Sequence, residues 1–256
     1  MSRWYYDFHI HSCLSPCADN DMTPNNIAGM AKLAGLQLVA LTDHNSCRNC
    51  PAFFEAAARQ GIVPVAGMEL TTAEDIHVVC LFEFLADAMR FCNEVDRQRV
   101  RIPNRTDIFG DQLLLDGNDE LLGVEPDLLP NATGIPIADA PELVTAFGGV
   151  CYPAHIDREA NGMVSVLGTF PEDSGFACAE LHEMDRAGEL LARCPALEGK
   201  RLLSGSDAHY LWDIREKQHW LELEPGAGEN SPEQVRRAIF RQMRQPAEGY
   251  RRRETD

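Results

Sequence analysis

His9 and His11 are separated by one residue, and so are Asp207 and His209. In extended chain, side chains so spaced point the same way, so each pair can close on one ion as a two-pronged clamp. Neutral imidazole and carboxylate are the side chains that hold divalent transition metals. Four more stations carry the same chemistry: Asp43-His44, Glu69, His77 and His155. They lie at the ends of short apolar runs, as do seven of the chain's eight histidines. One zinc takes about four ligands, so this many donors suits two or three ions. A metal cluster built from strand ends is the expected seat of function.

The apolar pattern supplies elements to carry these donors. Residues 4–8 read as a first strand ending at His9-Ile10-His11. Thr23-Pro24 opens a helix, with Thr as N-cap and Pro at the first helical position, and Gly35 suits its end. Residues 38–41 form a strand that runs into Asp43-His44, and Pro51 opens a second helix ending near Gly61. Residues 62–66 deliver Glu69, and His77 opens the strand-like run 78–82. Later strands over 149–152, 176–181 and 201–203 deliver His155, Glu180, and then Asp207 with His209. A last strand over 220–223 precedes a helix from Pro232.

Short apolar strands alternating with helices predict an α/β fold whose parallel sheet is covered on both faces. In an α/β barrel the C-terminal strand ends converge on one mouth, so donors spread from residue 9 to residue 209 can meet. Residues 83–145 carry no expected ligand. They predict a helix over 84–99 and a hairpin within 112–124, around Asp116-Gly117-Asn118-Asp119. This stretch reads as an insertion, a lid or specificity element, within a single domain spanning 1–256.

Composition narrows the class of partner. No run approaches the roughly 20 apolar residues that span a bilayer, and the N-terminus lacks a signal-peptide pattern. The expectation is a cytoplasmic protein with no membrane partner. Nine cysteines then argue for free thiols rather than a disulfide framework. Cys13, Cys17, Cys47 and Cys50 follow the first two ligand stations at spacings that suit a four-thiolate site, with packing of free thiols as the plainer reading. A formal charge of −17 argues against long nucleic acid and does not forbid a small phosphorylated molecule, which is the expected partner. Arg236, Arg237, Arg241, Arg244 and residues 251–253 read as a solvated C-terminal helix and tail, a polyanion-binding tail being the alternative.

The ordered set HxH, TDH, strand-end Glu, His, AH and SDAH, from His9 to His209, resembles the PHP domain, the polymerase and histidinol phosphatase superfamily of metal-dependent phosphoesterases. The resemblance implies a distorted seven-stranded α/β barrel and two or three Zn, Mn or Fe ions. It implies one ion held by His9, His11, Glu69 and Asp207, and a neighbour held by Glu69 as a bridge with His77 and His155. A further position would use His44 and His209. Many relatives place an Asp or His seven or eight residues after the first His. Pro16 and Cys17 stand there in this chain, with Cys17 or Asp19 as possible substitutes. Asp43 is expected to orient His44 rather than bind metal.

Such a site suits hydrolysis of a phosphate ester, because divalent ions activate water and offset charge on phosphoryl oxygens. Asp207 and His209 are the expected catalytic residues. Arg158, Arg48 and Glu180 are the expected substrate contacts, and His182 is left structural. Two other functions fit less of the pattern. An amidohydrolase-like enzyme would use a carbamylated lysine, and the three lysines (Lys32, Lys200, Lys217) avoid strand ends. A non-catalytic metal-binding regulator would not require the full donor set.

Overall fold

The computed structural model describes residues 2–224 and 231–245. Strand β1 (Ser2–Asp7) leads through a long loop to α1 (Pro24–Leu33), β2 (Leu38–Leu41), α2 (Cys50–Gln60), β3 (Val63–Thr71) and β4 (His77–Phe82). Next come α3 (Leu85–Gln98), the short α4 (Thr106–Phe109), β5 (Leu113–Leu115), β6 (Leu121–Val124), α5 (Ala140–Ala146) and β7 (Gly149–Pro153). The order closes with α6 (Met163–Leu167), β8 (Cys178–Glu180), α7 (Ala187–Arg193), β9 (Arg201–Leu203), β10 (Trp220–Leu223) and α8 (Pro232–Met243). Local chemistry sets the helix ends. The Thr23 side chain accepts from Asn26 N at the start of α1, Gly61 closes α2 with a φ of 68°, and Ser231 with Gln234 forms a capping box on α8.

The main sheet runs β10-β1-β2-β3-β4-β7. Its β1–β2 and β2–β3 pairs are parallel, but β3–β4, β4–β7 and β1–β10 are antiparallel, so the expected all-parallel sheet is a mixed one. The turn between β3 and β4 explains one reversal. Thr72 N bonds Ile76 O at 3.0 Å and Asp75 takes a φ of 62°, a connection far too short for a parallel crossover. Strands β8 and β9 form a separate parallel pair. Single backbone bonds carry the circuit on from β7: Ile156 N to Glu180 O, Leu181 N to Leu203 O, and Asp207 N to His9 O. The result is a mixed α/β fold with a curled, half-barrel sheet. The ladders alone do not form a closed seven-stranded barrel among the described residues.

Strand parity divides the core. Val39, Leu41, Met68, Val78 and Cys80 face α1, α2 and α3 in one cluster. Leu38, Ala40, Val63, Val65, Val79, Leu81 and Tyr152 face the other way, packing with Val235, Ile239 and Phe240 of α8. Glu69 and His77 continue the odd-numbered series of this second face beyond its apolar part. The same alternation that fills the interior therefore delivers polar donors at its open end.

Helices α3 and α5 bury Phe91, Val95 and Val144 in the first cluster. Between them, β5 and β6 form the expected hairpin. It is fastened over the first two loops: Leu113 N bonds Cys13 O at 2.8 Å, and Asn49 bonds both Leu113 O and Leu115 N. The C-terminal helix departs from expectation at Arg236, which is buried and donates to Glu83 O and Pro64 O, while Arg237, Arg241 and Arg244 are exposed as expected. Arg251, Arg252 and Arg253 lie outside the described residues. No helix among the described residues is long and apolar enough to cross a membrane.

Candidate metal centre

Glu69 sits at the centre of the donor set, 1% exposed. Its Oε1 lies 3.1 Å from His9 Nε2, 2.9 Å from His77 Nδ1 and 3.2 Å from His155 Nε2. Its Oε2 lies 3.3 Å from His11 Nε2 and 3.0 Å from His44 Nδ1. Asp207 Oδ1 completes the cluster, 3.4 Å from His9 Nε2 and 3.2 Å from His11 Nε2. One carboxylate thus faces five imidazoles contributed by four separate stretches of chain.

Three sets of donor atoms lie close enough to share an ion, each within 4.8 Å throughout: His9, His11, Glu69 and Asp207; His44, Glu69 and His77; and His11, His44 and His209. The first set matches the first expected position. The second takes His44 where His155 was expected, although His155 still touches Glu69. The third joins His11 to the expected His44 and His209. These residues fit divalent ions for a reason beyond proximity. His9 Nε2, His11 Nε2, His44 Nδ1 and Glu69 Oε2 are buried and make no hydrogen bond. Buried polar atoms are otherwise satisfied, so these are aimed at a missing partner.

Protonation follows the same geometry. Burial disfavours a charged His11, but Asp207 and Glu69 outweigh it and raise its pKa to about 9. Burial also opposes charge on His9, and Glu180, Glu69 and Asp207 raise it well above the usual value. Burial pushes His44 down to about 3, and burial with the His11 charge pushes His209 down to about 4. Glu69 and Asp207 stay well below the usual carboxylate range, since the neighbouring rings overcome a burial cost that favours the neutral acid. Asp207 and His155 also hold left-handed backbone, with φ of 53° and 30°. Such strain persists where surrounding structure enforces it and concentrates at functional sites.

Other side chains fix the rings. His9 Nδ1 meets Glu180 Oε1 at 2.8 Å, and His209 Nδ1 meets Asp207 O at 2.7 Å. His11 Nδ1 meets Ser15 Oγ at 3.0 Å, and Ser15 Oγ donates to Asp43 Oδ1 at 2.8 Å. Ser15 Oγ also accepts from His44 N at 3.2 Å, so Asp43 bears through Ser15 on the His11 ring as well as on the His44 backbone, where the sequence suggested His44 alone. Ser15 was not singled out, and its position four residues after His11 is the only signal it carries.

Two adjoining cavities open here. One of about 250 Å³ is lined by His44, Glu69, His77, His155, His209 and Cys17, among others. The other, about 320 Å³, is lined by Arg158, His182, Ser206, Asp207, Asp213 and Arg215. Arg158 borders both and pairs with Asp207. Two expected substrate contacts lie elsewhere. Arg48 pairs with Glu125 and Asp96 and lines neither cavity. Glu180 is 1% exposed behind His9 and also accepts from His155 N, so its carboxylate is turned to the His9 ring and the His155 backbone and not to the open cavities. His182, read as structural, lines the second cavity, and Arg215 was missed altogether. Cys13, Cys17, Cys47 and Cys50 join no metal-capable group among the described residues; Cys47 N instead donates to Cys92 Sγ at 3.2 Å. Asp19 uses its carboxylate to accept from Asp21 N.

The PHP domain profile matches residues 7–135, just over half of the 256 residues. The chain belongs to the PHP domain family. No curated protein matches it. Among solved structures, this PHP domain is similar to the lesion-specific endonuclease EndoQ of Pyrococcus furiosus, with a TM-score of 0.62 at 19% identity. That match covers 93% of this chain but only 56% of EndoQ. A candidate metal-dependent phosphoesterase of Bifidobacterium adolescentis matches at a TM-score of 0.56 and 16% identity, covering 93% of this chain and 96% of that one. An amidohydrolase of Chromobacterium violaceum, solved with sulfate and no metal, gives 0.57 and 19%, covering 86% and 92%. At these identities the likeness is one of fold.

The comparison corrects the charge argument. Endonuclease Q has been solved with a 27-mer duplex substrate whose abasic lesion occupies the active site. The expectation against long nucleic acid therefore does not stand. Net charge averages the whole surface, whereas Arg158, Arg215 and any bound cations set the field at the mouth.

Proposed function

We propose that this PHP-domain protein is a metal-dependent phosphoric ester hydrolase, cleaving a phosphomonoester or phosphodiester with metal-activated water. The observation that carries the reading is the single Glu69 carboxylate shared between two adjoining donor sets, in which His9 Nε2, His11 Nε2, His44 Nδ1 and Glu69 Oε2 are buried without a hydrogen-bond partner. His9, His11, Glu69 and Asp207 would hold one ion. His44, Glu69 and His77, with His155 alongside, would hold a second, and His11, His44 and His209 a third. Ions of Zn, Mn or Fe at these positions would supply activated water and offset the charge on phosphoryl oxygens.

The chain's own residues have separate tasks in this proposal. Glu180 and Ser15 fix the rings of His9 and His11. Arg158, bordering both cavities, receives a phosphoryl oxygen. His209 presents its Nε2 lone pair to the mouth, because Nδ1 is engaged by the Asp207 carbonyl. When no ion occupies the third position, that lone pair is free to take a proton from the attacking water or, once protonated, to return one to the leaving oxygen, and Asp207 holds the ring in register. The amidohydrolase alternative would need a carbamylated lysine in the centre. Lys200 instead bonds Phe176 O, Lys217 lies over the Tyr5 ring, and Lys32 is exposed.

The test is a panel of sugar phosphates, nucleotides and oligonucleotides assayed with Mn, Zn or Fe(II), beside amides and lactones. Release of phosphate or cleavage of a phosphodiester, abolished by a chelator and by His9→Ala, is the expected outcome. No phosphate-ester turnover with any metal, or turnover confined to amides or lactones, would refute the proposal.

A further inference from the structure

Tyr210 and Trp212 follow His209 directly and stack on each other, ring centroids 4.9 Å apart and planes 13° from parallel. Trp212 is 76% exposed and Tyr210 40%. Isolated surface hydrophobics need no explanation, but this indole is held by a stacking partner on one face and open on the other. The turn that carries it, Leu211–Asp213, feeds straight into the second cavity, which Asp213 and Arg215 line. In that cavity Arg158 Nη2 and Arg215 Nη2 each lie 3.2 Å from His182 Nδ1. One ring nitrogen offers a single lone pair, so two guanidinium groups converge where only one can be satisfied. Arg215 is otherwise held by the neutral acceptors His182 O and Ser204 Oγ. An exposed, stacked aromatic pair thus stands within three residues of Asp213 and Arg215. Their pocket sets two guanidinium groups on the rim of the metal centre, Arg158 paired with Asp207 and Arg215 without a carboxylate partner of its own among the described residues.

We propose that this rim is a nucleotide site, in which a nucleobase stacks on the open face of Trp212 and the attached phosphate lies against Arg158 and Arg215. The proposal rests on the phosphoester-hydrolase reading above and names its substrate class. A nucleoside phosphate joins a stackable ring to an anion; a sugar phosphate supplies only the anion. Stacking on an aromatic side chain is indifferent to base identity, so the site takes nucleotides without strong base preference. The same chemistry is offered by a free mononucleotide and by the end of a strand.

The test uses the metal-loaded protein and non-hydrolysable phosphonates, so binding is read apart from turnover. Adenosine 5′-phosphonate is expected to bind at least about tenfold tighter than ribose 5-phosphonate. Trp212→Ala is expected to remove most of that preference, a loss of about tenfold or more. Trp212→Phe is expected to restore most of it, and ribose 5-phosphate turnover is expected to stay unchanged in both variants. Arg215→Gln is expected to weaken both phosphonates alike. A 5′-phosphonate oligonucleotide binding tighter than the mononucleotide assigns the site to a strand end, and equal or weaker binding assigns it to free nucleotides. Equal affinity for the adenosine and ribose compounds, or a Trp212→Ala variant that keeps its preference, would overturn the nucleotide site while leaving the hydrolase reading intact. Loss of all phosphate-ester turnover in wild type would instead remove the reading beneath it.

Discussion

His9 Nδ1 lies 2.8 Å from Glu180 Oε1, while His9 Nε2 faces Glu69 and Asp207 at 3.1 and 3.4 Å. The Glu180 contact holds the ring proton on Nδ1 and leaves Nε2 to bind an ion. Glu180→Ala is expected to lower affinity at the first metal position roughly 10- to 100-fold, measured by competition with a chelator of known affinity. Glu180→Gln, which keeps an acceptor oxygen, is expected to lose less. Equal affinities in wild type and Glu180→Ala would show that the ring needs no such support.

Ser15 makes a parallel prediction for His11. It stands between the His11 ring and Asp43, a buried carboxylate that also accepts from Ser12 N and Ser12 Oγ. Removing the hydroxyl leaves Asp43 a partner short and His11 Nδ1 without one. Ser15→Ala is expected to lower stability by about 1–3 kcal/mol and to lower metal content in the same preparation. Thermal unfolding with and without metal checks both parts. A variant matching wild type in Tm and metal content would rule this relay out.

The pKa directions make a third prediction, with a definite sign. Ligation requires neutral rings, yet His9 is raised and His11 is raised to about 9 in the metal-free protein. Between pH 6.5 and 9, metal binding is therefore expected to release protons from these two rings, and affinity to rise with pH. His44 and His209, down at about 3 and about 4, release none there. Stability of the metal-free protein runs the opposite way. A histidine with a raised folded pKa contributes fully below its unfolded value of 6.5, and loses that contribution as pH climbs through about 9. Titration calorimetry at pH 7.5 in two buffers of different ionisation enthalpy measures the release; a buffer-independent heat would contradict it.

The donors were legible because their positions follow rules of local spacing. HxH and DxH place two side chains on one side, and apolar runs mark strand ends, so a cluster drawn from residue 9 to residue 209 was readable before the meeting was visible. Seven of the eight expected donors fall in metal-capable groups among the described residues, while His155 joins none and lies against Glu69. Depth was not readable. Glu180 ends a strand as Glu69 does, but one more layer of packing puts it behind His9 and away from the open cavities. Arg48 follows Asp43-His44 closely, yet its direction is set by Glu125, 77 residues later. Strand direction was not read: the sequence suggested strands over 62–66 and 78–82, whereas the observed strands run on to leave five residues between Thr71 and His77, too few for a crossover helix. Net charge misled because it is a property of the whole chain, and the mouth is governed by a few nearby groups.

Gly205 offers the sharpest test of the first metal position. It has no special backbone conformation to protect, but a Cβ there would stand 2.5 Å from His9 Cβ and 2.8 Å from Glu180 Oε2. Neither neighbour can yield freely, since each holds the other at hydrogen-bond distance. Gly205→Ala is expected to force the two apart, costing about 1–3 kcal/mol of stability as overpacking does, and to cut metal affinity as Glu180→Ala does. If the harm runs through the His9–Glu180 contact, the two substitutions share one effect. Their combined loss of metal affinity should then fall well short of the sum of the single losses. Full additivity would mean that Gly205 guards something else, and normal metal content in Gly205→Ala would mean that the His9 ring tolerates displacement that the observed geometry does not.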